Sequence, residues 1–307
     1  MDLRLQRKEL LPLLVQFRCP SGLINGWSDW LDKEIENEEF CQALRDANIF
    51  EAVLMSRGWH VFRDNIALWY LICYWSPETH TFFFPWGETT ITLEDVERLF
   101  LLPSMGRLNL MDLELDDDEA KIEERLYKAF GGRAASPIGQ RARFSSWILA
   151  FKKSGSHVIR RAAFLAMWLS KCVFSCYPTQ FIKPFTFHLA ITLSQGMSLP
   201  LGALFLGYLY SELDQLHYNE LAGSPYHIVD TRVSIVMLQA FVWERSRRYL
   251  NVGKSVSEIH DTKRVISIGI IDGKERFLGF EHGLPLLMKW MALKVRFAIN
   301  LFVRHCF

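Results

Sequence analysis

The stretch of residues 75–102 constrains the fold most, because its hydrophobic pattern changes from that of a strand to that of a helix. Residues 80–84 (HTFFF) alternate with the period of two that is typical of an extended strand. Pro85-Trp86-Gly87 predicts a turn, and residues 89–91 resume β-favouring chemistry. The pattern therefore predicts a hairpin with a three- or four-residue connection that contains Gly87.

The hydrophobic period changes at Thr92, which is a good N-cap for a following helix. Glu94 and Asp95 place negative charge in the first turn, where the helix dipole favours it. Four residues supply an apolar helical face: Leu93, Val96, Leu99 and Phe100. We expect Thr92 and Asp95 to organise the helix entry, and Phe82 or Phe84 to hold the hairpin against neighbouring helices.

Helical patterns dominate the rest of the 307-residue chain, half of which is apolar. Residues 1–75 are predicted to be helical up to the hairpin, and residues 228–249 to form another long helix. The acidic run 112–124 has no glycine for a calcium loop, so it favours an acidic helix start. Asp272-Gly273 predicts a second small hairpin in residues 264–280. The predicted class is a mainly α, multi-helix globular domain with one or two small β-hairpins.

The balance of charge gives no general attraction to nucleic acid, since 35 Lys and Arg face 34 Asp and Glu. A local basic and aromatic set is nevertheless present in residues 141–161. Its cations, which alternate with Phe144, Trp147 and Phe151, are Arg141, Arg143, Lys152, Lys153, Arg160 and Arg161. Clustered cations can contact phosphates, which makes nucleic-acid binding one hypothesis. A solvated helix face is the alternative that we favour.

Patterns typical of catalytic or metal sites are weak or missing in the sequence. Cys172-x3-Cys176 has a spacing that could bind a metal, but no second Cys or His pair accompanies it, so buried thiols are the preferred interpretation. There is no G-x-S-x-G elbow, no Walker or Rossmann glycine pattern, and no lysine that we can assign to pyridoxal phosphate. We therefore predict no catalytic residue, no metal and no cofactor.

Three segments are apolar enough to be candidates for membrane spans: residues 162–174, 199–209 and 284–303. The first two are shorter than the roughly 20 residues that a spanning helix needs. The third contains Lys289, Lys294 and Arg296, which are costly in a bilayer. Buried core helices are the better interpretation, and the N-terminal residues lack a secretory pattern, so we expect an intracellular protein without membrane association.

Residues 75–106 contain a long, ordered motif that resembles the plant mobile domain family, also labelled aminotransferase-like. It comprises Trp75, PETHTF, P-x-GE, TITLEDV, then Leu102-Pro103 with Gly106. Downstream similarity is found at Trp147, in the helix that ends WLSKCVF, and in residues 199–213 and 238–245. The motif residues, which we interpret as structural, are Trp75, His80, Thr81, Phe82, Pro85, Gly87, Glu88, Thr92, Leu93, Asp95 and Val96.

The resemblance covers residues 45–250, which we take as the family core, with an internal connection near the glycine-rich residues 131–139. Residues 1–44 are then an N-terminal helical extension. Residues 251–307 match more weakly, and their apolar end at residues 300–307 suggests a truncated or transposon-associated copy.

The resemblance implies a nuclear plant protein of a family found in host genes and in transposable elements. Host members are linked to transposon silencing, genome stability and meristem development, and act with a phosphatase-like partner. The metal-binding blocks of the phosphatase that some relatives carry are missing, so its activity is not expected here. We expect a non-enzymatic protein-interaction module. The alternatives are nucleic-acid binding through residues 141–161 and an enzyme whose site residues are dispersed in the sequence.

Overall fold

The computed structural model describes residues 14–17, 24–58, 65–84, 87–106, 114–131, 142–175, 180–222 and 228–245. These residues form a mainly helical fold, as predicted. The helices in chain order are α1 Trp27–Ile35, α2 Glu38–Asp46, α3 Phe50–Met55, α4 Asn65–Ile72, α5 Leu93–Phe100, α6 Asp117–Phe130, α7 Phe144–Phe151, α8 His157–Trp168, α9 Thr186–Ser194, α10 Leu201–Ala222 and α11 Ile235–Arg245. A 3₁₀ turn occupies Ser56–Gly58, and a π-helical turn occupies Leu169–Val173. The strands are β1 Leu14–Phe17, β2 Trp75–Ser76, β3 Thr81–Phe84, β4 Gly87–Thr89 and β5 Ile228–Thr231.

The chain divides into two compact units, each built from separate stretches of sequence. The hairpin unit, which contains all five of these strands, comprises Met1–Ser21, His60–Phe100 and Leu206–Phe307. The helical unit comprises Gly22–Trp59 and Leu101–Phe205.

In the hairpin unit, β2, β3 and β4 form an antiparallel sheet in that order. Phe82 is paired with Trp75 on one side and with Thr89 on the other, which confirms the predicted hairpin. The predicted connection was wrong, because Gly87 is itself paired with Phe84 and only residues 85–86 separate the two strands. Gly87 has a φ of 148°, a backbone conformation that residues with a Cβ rarely adopt, so glycine suits this first position of β4.

The helix that follows the hairpin begins as predicted. The Thr92 backbone N–H donates to Asp95 Oδ2 at 2.8 Å, and the Asp95 N–H donates to Thr92 Oγ1 at 3.3 Å. This reciprocal pair is a capping box with an aspartate in the third position. Val96, Leu99 and Phe100 are buried. The predicted apolar face therefore packs into the core of the unit, where α5 contacts α11.

Two parts of the secondary structure were predicted wrongly. Leu14–Phe17 form a strand rather than part of a helical extension, and they pair in parallel with Ile228–Thr231. Residues 228–231 were expected to begin a long helix, but that helix begins at Ile235 instead. The two strands are more than two hundred residues apart in sequence. Their pairing is a tertiary effect that a local hydrophobic period does not contain.

The helical unit is organised around α8, which packs against α6, α7 and α9. The Phe164 ring stacks on Trp27 with ring centroids 4.8 Å apart, and Trp30 and Phe40 approach it edge-on. All four side chains have no exposed surface. Aromatic pairs in these geometries stabilise a core beyond the area that they bury.

The acidic run does start a helix, as expected. The Asp116 side chain accepts hydrogen bonds from the backbone of Asp118 and Glu119, and the Glu119 side chain accepts one from the backbone of Asp116. At the other end of α6, Gly131 has the left-handed φ of 119° that favours glycine in a C-cap. The rest of the predicted 131–139 connection, and the predicted hairpin at 264–280, lie outside the described residues.

Within the described residues, no helix is both long enough and apolar enough to cross a membrane. The C-terminal segment 284–303 is not among these residues.

Candidate functional site

The densest group of polar and aromatic side chains in the hairpin unit surrounds Asp214 on α10. Its Oδ1 accepts a hydrogen bond from Trp75 Nε1 at 2.8 Å, and its Oδ2 lies 3.0 Å from His80 Nε2. An ionised carboxylate has no proton to give, so the His80 tautomer in this pair has its hydrogen on Nε2. The other ring nitrogen, Nδ1, has no hydrogen-bond partner within the described residues, and the His80 side chain is 46% exposed.

Aromatic rings fix the orientation of the imidazole. His80 stacks on Tyr210 with ring centroids 5.1 Å apart and lies nearly parallel to Trp75 at 6.0 Å. The Tyr210 hydroxyl donates to the carbonyl oxygen of Ile91, and burial raises the pKa of this phenol. Helix α10 is thereby tied to the hairpin through both Tyr210 and Asp214.

The backbone of His80 has a φ of 52°, in the left-handed region that non-glycine residues rarely enter. Thr90 Oγ1 donates to the His80 carbonyl oxygen at 2.6 Å and holds the residue in that conformation. A strained residue persists only where its surroundings determine it, and such residues cluster at functional positions. This geometry marks the His80 turn as a candidate site.

One edge of the hairpin presents accessible groups. Phe83 is 47% exposed, whereas its neighbour Phe82 is fully buried against Trp75 and Phe241. Thr81 Oγ1 donates to Glu88 Oε1 at 2.7 Å across the two strands, and Glu88 is exposed. Alternation along β3 therefore directs one side chain into the core and the next toward solvent.

Most of the described charged side chains of the hairpin unit are acidic. Their acids are Glu78, Glu88, Glu94, Asp95, Glu97, Glu212 and Asp214, and their basic residues other than histidine are Arg98 and Arg232. Arg98 already forms an ion pair with Glu94. The exposed acids in this described set, such as Glu78 and Glu88, favour contact with a positively charged group over a phosphate.

In the helical unit, two members of the basic set are engaged inside the fold. Arg160 Nε donates to Glu34 Oε1 at 2.7 Å, and its side chain is 13% exposed. Arg161 is buried and donates to Asn37 Oδ1 at 2.8 Å and to Glu39 Oε2 at 2.9 Å. Both guanidinium groups therefore join α8 to the α1–α2 region, and their charge is already partnered.

The other cations of the set differ in accessibility. Lys152 lies 3.6 Å from Asp29, and Lys153 is exposed. Arg143 is exposed and lies over the Phe181 ring at 5.5 Å. Arg141 lies outside the described residues. Nucleic-acid binding stays a hypothesis, with Arg143, Lys152 and Lys153 as the members that a phosphate could reach.

The family-motif residues meet in one region of the hairpin unit, as far as they are described. Trp75 and His80 contact Asp214 and Tyr210, and Phe82 packs on Trp75. Thr92 and Asp95 cap α5. Pro85 lies outside the described residues. Sequence reasoning missed Asp214 and Tyr210, which are more than one hundred residues away from their partners in the chain. The available signal was a carboxylate inside the long apolar pattern of α10.

Two hydroxyl-bearing side chains lie beside His80. Thr90 and Tyr210 contact His80, and both hydroxyls donate to backbone carbonyl oxygens. Neither is aligned as a nucleophile for the imidazole. Among the described residues, no group of three or more His, Cys, Asp or Glu side chains is placed to hold a metal ion. Cys172 is buried, and Cys176 is outside the described part of the chain.

The fold and its hairpin define a mainly helical domain in which a capped helix follows a braced β-hairpin. The family model of the plant mobile domain matches residues 48–300 and so includes most of the weakly matching segment 251–307. The chain belongs to the plant mobile domain family. No curated protein and no solved structure matches it.

Proposed function

We propose that this protein is a non-enzymatic interaction module of a nuclear complex, and that the hairpin is its contact surface. The observation that carries the proposal is the hairpin geometry. Phe82 and Trp75 hold the sheet on the core, while Phe83 and the His80 imidazole are left accessible. Aromatic side chains on a rigid support are the groups that most often dominate the energy of a protein interface.

Membership of the plant mobile domain family supports the cellular context of the proposal. The complex would act in transposon silencing, genome stability and meristem development, with a phosphatase-like nuclear protein as the partner. The exposed acids described on and beside the hairpin, Glu78 and Glu88, favour a partner whose contacting surface is basic.

The test is affinity purification of the tagged full chain from plant nuclei, with protein recovery measured by quantitative mass spectrometry. Phe83→Ser removes an exposed ring and leaves the buried Phe82 in place. Leu149→Ser is the matched control, because Leu149 is an apolar residue that is 80% exposed in the helical unit. A central aromatic contact costs about 2 kcal/mol or more when truncated, so we expect recovery of the partner to fall by about tenfold or more in Phe83→Ser alone.

Two outcomes would count against the proposal. Recovery of no nuclear protein above a tag-only control would remove the interaction function itself. Equal recovery by wild type and Phe83→Ser would show that the hairpin is not the contact surface.

A further inference from the structure

A second group of side chains, in the helical unit, lacks the partners that its chemistry requires. Lys171 lies on the π-helical turn Leu169–Val173 that continues α8, and it is 3% exposed. Within the described residues, its Nζ has no hydrogen-bond partner, and neither has Nε1 of Trp168, which is 1% exposed. π-Helical turns are rare and frequently occur at functional sites.

Both unpartnered groups are hydrogen-bond donors. A lysine ammonium carries three N–H donors and no acceptor, and an indole carries one N–H donor. Trp168 is the last residue of α8, and Lys171 follows three residues later in the π-helical turn that continues this helix. A buried charge is costly without an opposite charge and hydrogen bonds, so the missing partner is an acceptor that carries negative charge.

The described carboxylates of the helical unit do not supply this partner. Glu34 and Glu123, the buried acids among the described residues of the unit, are paired with Arg160 and His188 at 2.7 and 2.8 Å. No described carboxylate lies within ion-pair distance of Lys171.

The turn that carries Lys171 is fixed by hydrogen bonds of the residue before it. Ser170 Oγ donates to the Ala166 carbonyl oxygen at 2.7 Å and accepts from the Lys183 backbone N–H at 3.0 Å. Lys183 is itself buried, so a second lysine lies in the segment adjoining this turn. Hydrogen bonds therefore fix the backbone of the turn that carries Lys171.

We propose that Lys171 and Trp168 bind the oxyanion group, a phosphate or a carboxylate, of a small ligand. A small molecule suits the site better than an acidic segment of another protein, because Lys171 has almost no exposed surface. The proposal is independent of the hairpin and of any protein partner.

The experiment is thermal unfolding of the purified full chain with inorganic phosphate, pyrophosphate or citrate, each compared with sodium chloride at equal ionic strength. Lys171→Met removes the charge at similar length, and Trp168→Phe removes the N–H and keeps an aromatic ring. Lys153→Met is the control, because Lys153 is an exposed lysine of the same unit. Comparing the phosphates with citrate distinguishes the two kinds of oxyanion.

At a probe concentration far above Kd, we expect the Tm of wild type and of Lys153→Met to rise by about 3 °C. Lys171→Met should show no such rise, and Trp168→Phe a smaller one. The proposal is overturned if no probe raises the wild-type Tm beyond the chloride control, or if Lys171→Met and Trp168→Phe respond like wild type. If Lys171→Met does not fold, Trp168→Phe and the charge-conserving Lys171→Arg decide: the former must lose part of the rise and the latter keep it.

Discussion

Removal of Arg160 tests whether the basic set in residues 141–161 contributes to the fold. Its partner Glu34 has no exposed surface, and Glu34 Oε1 receives hydrogen bonds from Arg160 Nε at 2.7 Å and Trp30 Nε1 at 2.9 Å. Among the residues that the structure describes, none donates a hydrogen bond to Glu34 Oε2, so the carboxylate has little other stabilisation there. Arg160→Met would leave this buried charge with one neutral donor.

The expected cost follows from this burial. Removing one member of a buried ion pair costs about 3 to 5 kcal/mol, because the remaining charge is uncompensated. Total stabilities are about 5 to 15 kcal/mol, so the loss would be a large fraction of the whole. With a urea m-value of about 3 kcal/mol/M, the unfolding midpoint should fall by about 1 M or more.

The assay is urea unfolding followed by tryptophan fluorescence and circular dichroism. Lys152→Met is the matched control, because its partner Asp29 is 77% exposed at 3.6 Å and such surface pairs contribute about 0 to 1 kcal/mol. The double variant Glu34→Gln with Arg160→Met also removes the uncompensated charge of Glu34. It should recover at least half of the unfolding free energy that Arg160→Met loses. A loss below about 1 kcal/mol for Arg160→Met, or no recovery in the double variant, would refute the reasoning.

Three further predictions concern the helix cap, pH dependence and nucleic acid. Thr92→Ala removes the Oγ1 acceptor of the α5 cap and should lower the unfolding free energy by about 0.5 to 2 kcal/mol in urea titrations, whereas Thr92→Ser should cost less. Burial raises the pKa of Glu212, and the charge and backbone of Arg232 only partly oppose this rise. The stabilising contribution of Glu212 is therefore present below the unfolded pKa of about 4.3 and is lost as pH rises through the higher folded value. Glu212→Gln should therefore have a higher Tm than wild type at neutral pH and the same Tm near pH 3.5; an unchanged difference at both pH values would contradict the burial argument. If the accessible cations bind nucleic acid, affinity for single- and double-stranded DNA and RNA should fall with salt and weaken in Arg143→Ala and Lys153→Ala; no binding at low salt would end that hypothesis.

The hairpin and its capped helix were predictable because their signals are local. Alternation in residues 80–84 and the Thr92 to Asp95 spacing both express interactions between residues near one another in sequence. The detail that failed, the length of the connection, depended on whether Gly87 paired with Phe84 or turned away from it. Sequence pattern alone does not decide between these pairings.

The failures involve contacts between distant residues. Leu14–Phe17 was predicted to be helical, but its backbone pairs with a strand that begins at Ile228. Arg160 and Arg161 had the composition of a basic patch, yet the fold brings Glu34 and Glu39 to them. A run of cations indicates a surface only if no acid from elsewhere in the chain reaches it.

Only the hairpin side of the candidate site was predictable from the sequence. The motif identifies Trp75 and His80, but their common partner Asp214 lies on a helix whose pattern is largely apolar. His80, interpreted from the sequence as a structural motif residue, is the accessible end of a network anchored on α10.

The most direct test of the proposed contact surface places a photo-crosslinking amino acid at position 83 in the full chain and irradiates plant nuclei that express it. Position 149, also exposed but in the helical unit, receives the same amino acid as the control. If the hairpin is the contact surface, position 83 should yield a discrete crosslinked protein that position 149 does not. Crosslinks from position 149 alone, or from neither position while partners are still recovered by purification, would contradict it.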